Sequence, residues 1–409
     1  MSMLARLAVV LLAAAALVAA TRTGNASPQS RKKAPVKTTS NASRASTKAA
    51  TPKKFSTANR TSRRAVPHTA ARPVRYRQAR YYNPWKEPTY ADSTLGDNVD
   101  GEDLVVRRAA VEALGPLNGT VVAVEASTGR ILTIVNQKVA LKGGYTPCST
   151  IKVFVGMAGL SEGLVERDTP VRLTRRLALD MTTALARSDN PYFAKLGQQL
   201  GFDRVTYYAR MLGLGERATL SLEAENPGTL PAEPPSDGVG MMSSFGHGVF
   251  LSPLQLAAAM AALANGGTLY YLQYPQNQEE VDNFVPRVKR HLEIQPYINE
   301  LKPGLMGAVE FGTARRAAWD ADFPILGKTG TCTDRATPTH LGWFGSFNDT
   351  QKNKLAVVVL LTGGKPINGP VASGVAGKLY RILHEQGYFE QERTISPVAL
   401  VDTRPCCVD

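Results

Sequence analysis

Ser149 and Lys152 stand three positions apart at the head of an apolar run, Val153-Phe154-Val155-Gly156-Met157-Ala158-Gly159-Leu160. A run that is hydrophobic on every side reads as a buried helix, and three positions along it are nearly one turn. The hydroxyl and the amine therefore share a face. A serine hydroxyl is a weak nucleophile until a neighbouring base takes its proton. Two further strings add complementary groups: Ser188-Asp189-Asn190, a second hydroxyl and an amide, and Lys328-Thr329-Gly330-Thr331, a cation and two hydroxyls. A nucleophile, its base, a proton shuttle and an anion-binding strand suit attack on an amide through a serine ester. Each string alone is weak, since Ser30-Arg31-Lys32-Lys33 and Ser346-Phe347-Asn348 match the first two patterns by chance. Context separates them: Ser30 lies in a polar basic stretch, and Ser346 follows the Lys-Thr-Gly string.

These groups need a frame. Thr120 to Glu125 and Ile131 to Asn136 are β-branched runs on either side of the turn signal Ser127-Thr128-Gly129-Arg130, and predict a hairpin. A helical middle section follows, including Leu254 to Asn265, which starts after Ser-Pro and stops at Gly266-Gly267. Strands return at Ile325 to Thr331, Gly342 to Phe347 and Lys354 to Thr362, and a last helix runs from Val371 to Glu385. Strands at both ends with helices between them predict an α+β fold. Its antiparallel sheet is flanked by helices and carries an inserted all-helical lobe, with the active site where lobe meets sheet.

The order of the three strings resembles that of the penicillin-binding protein transpeptidase domains, of class B-like, monofunctional kind, in the serine β-lactamase and D,D-peptidase superfamily. The resemblance extends to VVAVEASTGRILTIVN at 121–136, GHGVFLSPLQLAAAMAALANGG at 246–267, Phe311-Gly312-Thr313-Ala314 and Trp343-Phe344, and covers residues 101–386. It implies that Ser149 attacks the carbonyl between the two terminal D-alanines of a peptidoglycan stem peptide. Lys152 is then the base, kept neutral by burial and by a positive Lys328. Ser188 passes the proton to the departing D-alanine, and the backbone N–H groups of Ser149 and Thr331 form the oxyanion hole. Lys328, Thr329, Gly330 and Thr331 form the strand that holds the substrate carboxylate, and Asn190 holds its amide. An amine from a second stem peptide takes the acyl group, and β-lactams acylate the same serine. The resemblance implies no cofactor and no metal. Only 39 positions separate Ser149 from Ser188, fewer than in the family, so the helical lobe should be trimmed.

Net charge is +14, yet Thr21 to Lys86 holds 17 Lys or Arg and no Asp or Glu, leaving −3 for the remainder. The basicity belongs to a tail, residues 21–100, whose Ser, Thr, Ala and Pro content predicts a disordered linker. Residues 1–20 hold Arg6 followed by 14 apolar residues ending Val18-Ala19-Ala20, which predicts a signal peptide or a short membrane anchor. Residues 101–409 would then be one exported, periplasmic or otherwise extracytoplasmic catalytic domain. Export makes nucleic acid and ATP poor partners. The tail suits an anionic wall polymer or a membrane surface, or is a solvated spacer.

Cys148 precedes the nucleophile. Lys328, Gly330 and Cys332 alternate onto one strand face, the one turned to the Ser149 helix. The resemblance reaches further, to a disulfide beside the active site of class A carbapenemases, and so implies a Cys148–Cys332 bond; two buried thiols are the other reading. Cys406 and Cys407 have no functional account. His68, His247, His291, His340 and His384 lack ligand spacing, and His247 reads as a loop-packing residue. Glu223 and Glu225, in Leu222 to Pro231, lie where a β-lactamase carboxylate would activate water, or else play a structural part with Gly228. Cross-linking transfer, hydrolysis as a D,D-carboxypeptidase or β-lactamase, and non-catalytic β-lactam sensing are the rival functions. The last needs a cytoplasmic signalling region, which the sequence does not display.

Overall fold

The structure, a computed structural model, describes residues 84–390 apart from 319, 335–337 and 351. The expected leader, the basic tail up to residue 83, Ser30 and the Cys406-Cys407 pair lie outside the described residues.

In chain order, α1 (Leu104–Leu114) leads into the hairpin β1 (Gly119–Glu125) and β2 (Ile131–Val135), then α2 (Gln137–Lys142) and α3 (Ile151–Ser161). The helical lobe carries a small ribbon, β3 (Val171–Arg172) and β4 (Ala178–Leu179), then α4 (Met181–Arg187), α5 (Asn190–Met211) and α6 (Val239–Phe245). Next come α7 (Pro253–Ala264), the ribbon of β5 (Thr268–Tyr271) and β6 (Arg287–His291) spanned by α8 (Gln278–Asp282), and α9 (Gln295–Glu310). Three long strands, β7 (Ile325–Asp334), β8 (Thr339–Asn348) and β9 (Leu355–Gly363), precede α10 (Gly369–Glu385).

The five-stranded sheet runs β2-β1-β9-β8-β7 and every pairing is antiparallel. Its central strand β9 is buried on both faces along its whole length. That is why its Val-Val-Val-Leu-Leu run is continuous rather than alternating. Val357, Val359 and Leu361 join the core shared with α1 and α10, while Ala356, Val358 and Leu360 join the larger core around α3 and α7. The helix α7 starts as its sequence predicts: Ser252 and Gln255 cap each other's backbone N–H in a capping box, and Pro253 occupies the first turn. Strand β7 is the outer strand, so one edge of the Lys-Thr-Gly string is free of strand partners.

The folded domain begins earlier than residue 101. Asp97 accepts hydrogen bonds from the backbone N–H groups of Asn136 and Gln137, both at 2.9 Å, and pairs with Arg107 at 2.7 Å. Thr89 accepts from Asn118 N at 3.0 Å, and the Trp85 ring packs on His340. Residues 84–100 are rich in turn formers and look like linker locally. What orders them is satisfaction of buried backbone groups some 40 positions away, which no local pattern reports.

Candidate active site

The nucleophile's turn is tied down from several sides. Tyr145 exchanges backbone hydrogen bonds with Leu251 at 3.1 and 2.9 Å, the Trp343 indole donates to Thr146 O at 3.0 Å, and Thr150 Oγ1 donates to Pro147 O at 2.7 Å. Cys148 is joined to Cys332 by a disulfide with a Cα–Cα distance of 5.6 Å. Cys148 holds a φ of +52°, a left-handed conformation that a residue with a Cβ adopts only when its surroundings enforce it. From there Cys148–Thr150 forms one 3₁₀ turn that runs directly into α3.

Lys152, one turn on, is fully buried. Its Nζ lies 2.9 Å from Ser149 Oγ, 3.1 Å from Ser188 Oγ, 2.9 Å from Ser188 O and 2.5 Å from Asn190 Oδ1. The Phe193 and Phe245 rings flank it, 5.7 and 6.0 Å from Nζ to their centroids. Burial pulls the amine down to about 7, against the opposing pull of the Asp189 carboxylate. A neutral amine has two N–H bonds and one lone pair. The carbonyl oxygens of Ser188 and Asn190 can only accept, so they take the N–H bonds and leave the lone pair for the Ser149 hydroxyl proton.

Ser188 reaches Lys152 through both its carbonyl and its hydroxyl because it ends α4 in a left-handed conformation, φ 58° and ψ 43°. The next residue starts α5: Asp189 is its N-cap and accepts from Tyr192 N at 2.8 Å. The Ser-Asp-Asn string is thus a helix end, a cap and a helix start in sequence. Asn190 was expected to hold a substrate amide, but its Oδ1 is already engaged by Lys152, so only its amide NH₂ is left to donate to one.

Lys328 departs from expectation. It is fully buried and donates to its own strand's Thr329 O at 3.0 Å. Burial first, and the charge of Lys152 second, hold it well below the usual lysine range. Desolvation is thus the leading cause of the depression at both amines, and repulsion between the two adds to it at Lys328. Thr329 Oγ1 is 2.6 Å from Thr313 Oγ1, and Thr331 Oγ1 accepts from Gly369 N at 2.8 Å. Of the four residues in this string only Thr331 is exposed. Gly330 packs on the nucleophile's turn, where a Cβ would come 2.9 Å from Pro147 O.

Thr313 is a member of this cluster that the motifs alone did not single out, although Phe311-Gly312-Thr313-Ala314 contained it. Gly312 lets it in. A Cβ there would fall 2.1 Å from Ala186 O, at the end of α4. Glu225, by contrast, is buried away from any such role, accepting from Ala218 N and Thr219 N at 2.8 Å and from Thr219 Oγ1 at 2.6 Å. Glu223 is exposed. Among the described residues no group of His, Cys, Asp or Glu could hold a metal ion.

The disulfide carries a prediction. It closes a loop of 184 positions, so in the chain-entropy account Cys148→Ser with Cys332→Ser should cost up to about 5 kcal/mol of stability. Acylation at Ser149 should also slow, because the turn loses its covalent tie to β7. A urea midpoint and an acylation rate equal to those of the parent protein would show the bond to be idle.

Comparison with known proteins agrees with this geometry. Residues 119–381 match the family described as the penicillin binding protein transpeptidase domain. The stage V sporulation protein D of Bacillus subtilis is 27% identical over 281 residues, covering 61% of this chain and 43% of that protein. The peptidoglycan D,D-transpeptidase MrdA of Haemophilus influenzae is 22% identical over 357 residues, covering 67% and 54%. The corresponding figures for the peptidoglycan D,D-transpeptidase PbpA of Mycobacterium tuberculosis are 28% over 333 residues, 66% and 67%. This chain therefore spans about half the length of the first two. In fold it is similar to penicillin-binding protein A from M. tuberculosis in its ceftriaxone acyl-enzyme complex, with a TM-score of 0.60, 21% identity, and 69% and 78% of the two chains covered. It is also similar to the D,D-transpeptidase domain of a peptidoglycan glycosyltransferase from Eggerthella lenta, with a TM-score of 0.56, 19% identity, and 69% and 82% covered. More than half of this chain matches one family model across the sheet and the helical lobe together, and it belongs to the penicillin-binding protein transpeptidase domain family.

Proposed function

We propose that this chain is a peptidoglycan D,D-transpeptidase that forms an acyl-enzyme on Ser149 with D-alanyl-D-alanine stem peptides and passes the acyl group to an amine. The observation that carries this reading is the single Lys152 amine bonded at once to Ser149, Ser188 and Asn190. Lys152 takes the Ser149 proton as Oγ bonds to the carbonyl carbon. The proton moves through Ser188 Oγ to the departing D-alanine nitrogen as its C–N bond breaks. The N–H groups of Ser149 and Thr331 receive the oxyanion, where each such donor typically contributes about 3 kcal/mol. The exposed Thr331 and the strand around it meet the substrate carboxylate. β-Lactams react at the same serine.

Hydrolysis is the second reading, as a D,D-carboxypeptidase or β-lactamase. Against the latter stands Glu225, whose oxygens are consumed by three buried donors and are not free to activate water. The test follows the soluble domain labelled with a fluorescent penicillin, and then the products formed from a D-alanyl-D-alanine peptide with an amine acceptor present. Label held for hours and an amide product are expected. Label lost within seconds would make the protein a β-lactamase, and free acid alone a carboxypeptidase.

For the basic stretch from Thr21 to Lys86 we propose retention on an anionic wall polymer or membrane surface in an extracytoplasmic setting. Among the described residues no helix is long and apolar enough to cross a membrane. Removing residues 21–83 should leave acylation intact and weaken sedimentation with wall or anionic vesicles, an interaction that salt screens. Equal sedimentation of both forms would reduce the stretch to a spacer.

A further inference from the structure

His247 was expected to be a loop-packing residue, but its setting carries more. Its Nδ1 is hydrogen-bonded to Asp237 Oδ2. A carboxylate oxygen accepts, so Nδ1 is the donor in this bond and Nε2 is the ring nitrogen it leaves unengaged. No other hydrogen bond to the ring occurs among the described residues. The two side chains are 42% and 40% exposed, so the imidazole meets solvent while its partner fixes its orientation.

The loop that carries it abuts the nucleophile. Gly246, at φ +75°, lies so close to the turn that a Cβ would come 2.4 Å from Pro147 Cγ and 3.4 Å from Cys148 N. On one side of this glycine is Phe245, whose ring centroid is 6.0 Å from Lys152 Nζ; on the other is His247, whose ring centroid is 5.9 Å from that of Phe245. The phenyl ring thus neighbours both the imidazole and the lysine. His247 belongs to a loop that packs on the nucleophile's turn, and its ring is open to solvent. Behind it, Gly248 rests on Pro235 and Pro231, so the loop is backed by rigid residues.

We propose that His247, oriented by Asp237, is a second proton acceptor that serves the acyl-transfer half of the reaction, and this rests on the transpeptidase reading above. As the acceptor nitrogen bonds to the acyl carbon, its proton passes to His247 Nε2. The bond from that carbon to Ser149 Oγ breaks, and Oγ takes up a proton through Lys152, whose amine, left neutral by acylation, has first drawn one from water. The imidazolium then releases its proton to water. Two bases at one serine divide the labour: a buried amine for the hydroxyl, and an exposed imidazole for an amine arriving from solvent. A base so placed would typically contribute about 10²- to 10⁴-fold.

The test separates the two halves. Penicillin acylation needs no acceptor; transfer is measured as the amide formed from a D-alanyl-D-alanine peptide thioester and glycine as the acceptor amine. His247→Gln should slow transfer at least about 100-fold, with acylation falling far less, and Asp237→Asn should give a smaller loss of the same kind. In His247→Gly, added imidazole should restore transfer, which a merely structural role cannot explain. Unchanged transfer in His247→Gln, a parallel fall in acylation and transfer, or failure of imidazole to rescue would each overturn the inference. Absence of any penicillin adduct on the parent protein would instead overturn the transpeptidase reading, and this inference with it.

Discussion

Ser149→Ala is expected to abolish covalent capture of penicillin, with a loss of about 10⁶-fold in acylation, the scale seen when a catalytic serine acting within a concerted unit is removed. The fold should survive. Ser149 is only partly buried, and its loss takes one of four oxygen partners from Lys152, leaving Ser188 O, Ser188 Oγ and Asn190 Oδ1. Intact-mass spectrometry after incubation with penicillin, alongside a thermal melt, reads both claims. An adduct of penicillin mass on the mutant would remove Ser149 from the mechanism. A collapsed melting transition would mean that the hydroxyl holds the site together rather than reacting in it.

The second large effect belongs to Lys152. With its amine pulled down to about 7, about half of the molecules carry a neutral base at neutral pH. An unperturbed lysine near 10.4 would be neutral in fewer than about one molecule in a thousand there. Because the neutral amine is the reactive form, acylation should climb about tenfold per unit as pH rises towards 7 and level off above it. Lys152→Met, which fills similar space without a base, should lose about 10²- to 10⁴-fold and lose this pH dependence as well. Stopped-flow acylation from pH 5 to 9 measures it. A profile that stays flat below pH 7 in the parent protein would show that Lys152 is not the base. Since Lys328 is pushed down by its own burial, Lys328→Met should keep the position of that rise, whereas a positive Lys328 acting on Lys152 would make the rise move to higher pH when removed.

Much of this protein could be read from local pattern. The three strings named the chemistry because a serine and a lysine one turn apart on an apolar helix share a face whatever the rest of the chain does. The hairpin β1–β2, the capped helix α7 and the all-buried strand β9 followed from turn residues, a Ser-Pro start and a run of β-branched residues, signals that span ten residues or fewer. Their ends moved by only a few residues: β7 runs on to Asp334 and α10 starts at Gly369.

What tertiary structure decided depends on distance and solvent, which sequence spacing does not encode. Asn190 had been given to the substrate, yet 38 positions from Lys152 its carbonyl lies against the amine. Lys328 was given to the substrate carboxylate as a cation, yet it is fully buried, and burial holds its amine well below the usual lysine range. Residues 84–100 looked like linker until Asp97 met the start of α2. Thr313, His247 and Asp237 acquired their places because glycines at 312 and 246 let two loops close on the site within distances that a single Cβ would forbid. The reactive groups were legible as residue types. Which of them touch, which are dry and which face water was set by packing between segments far apart in the chain.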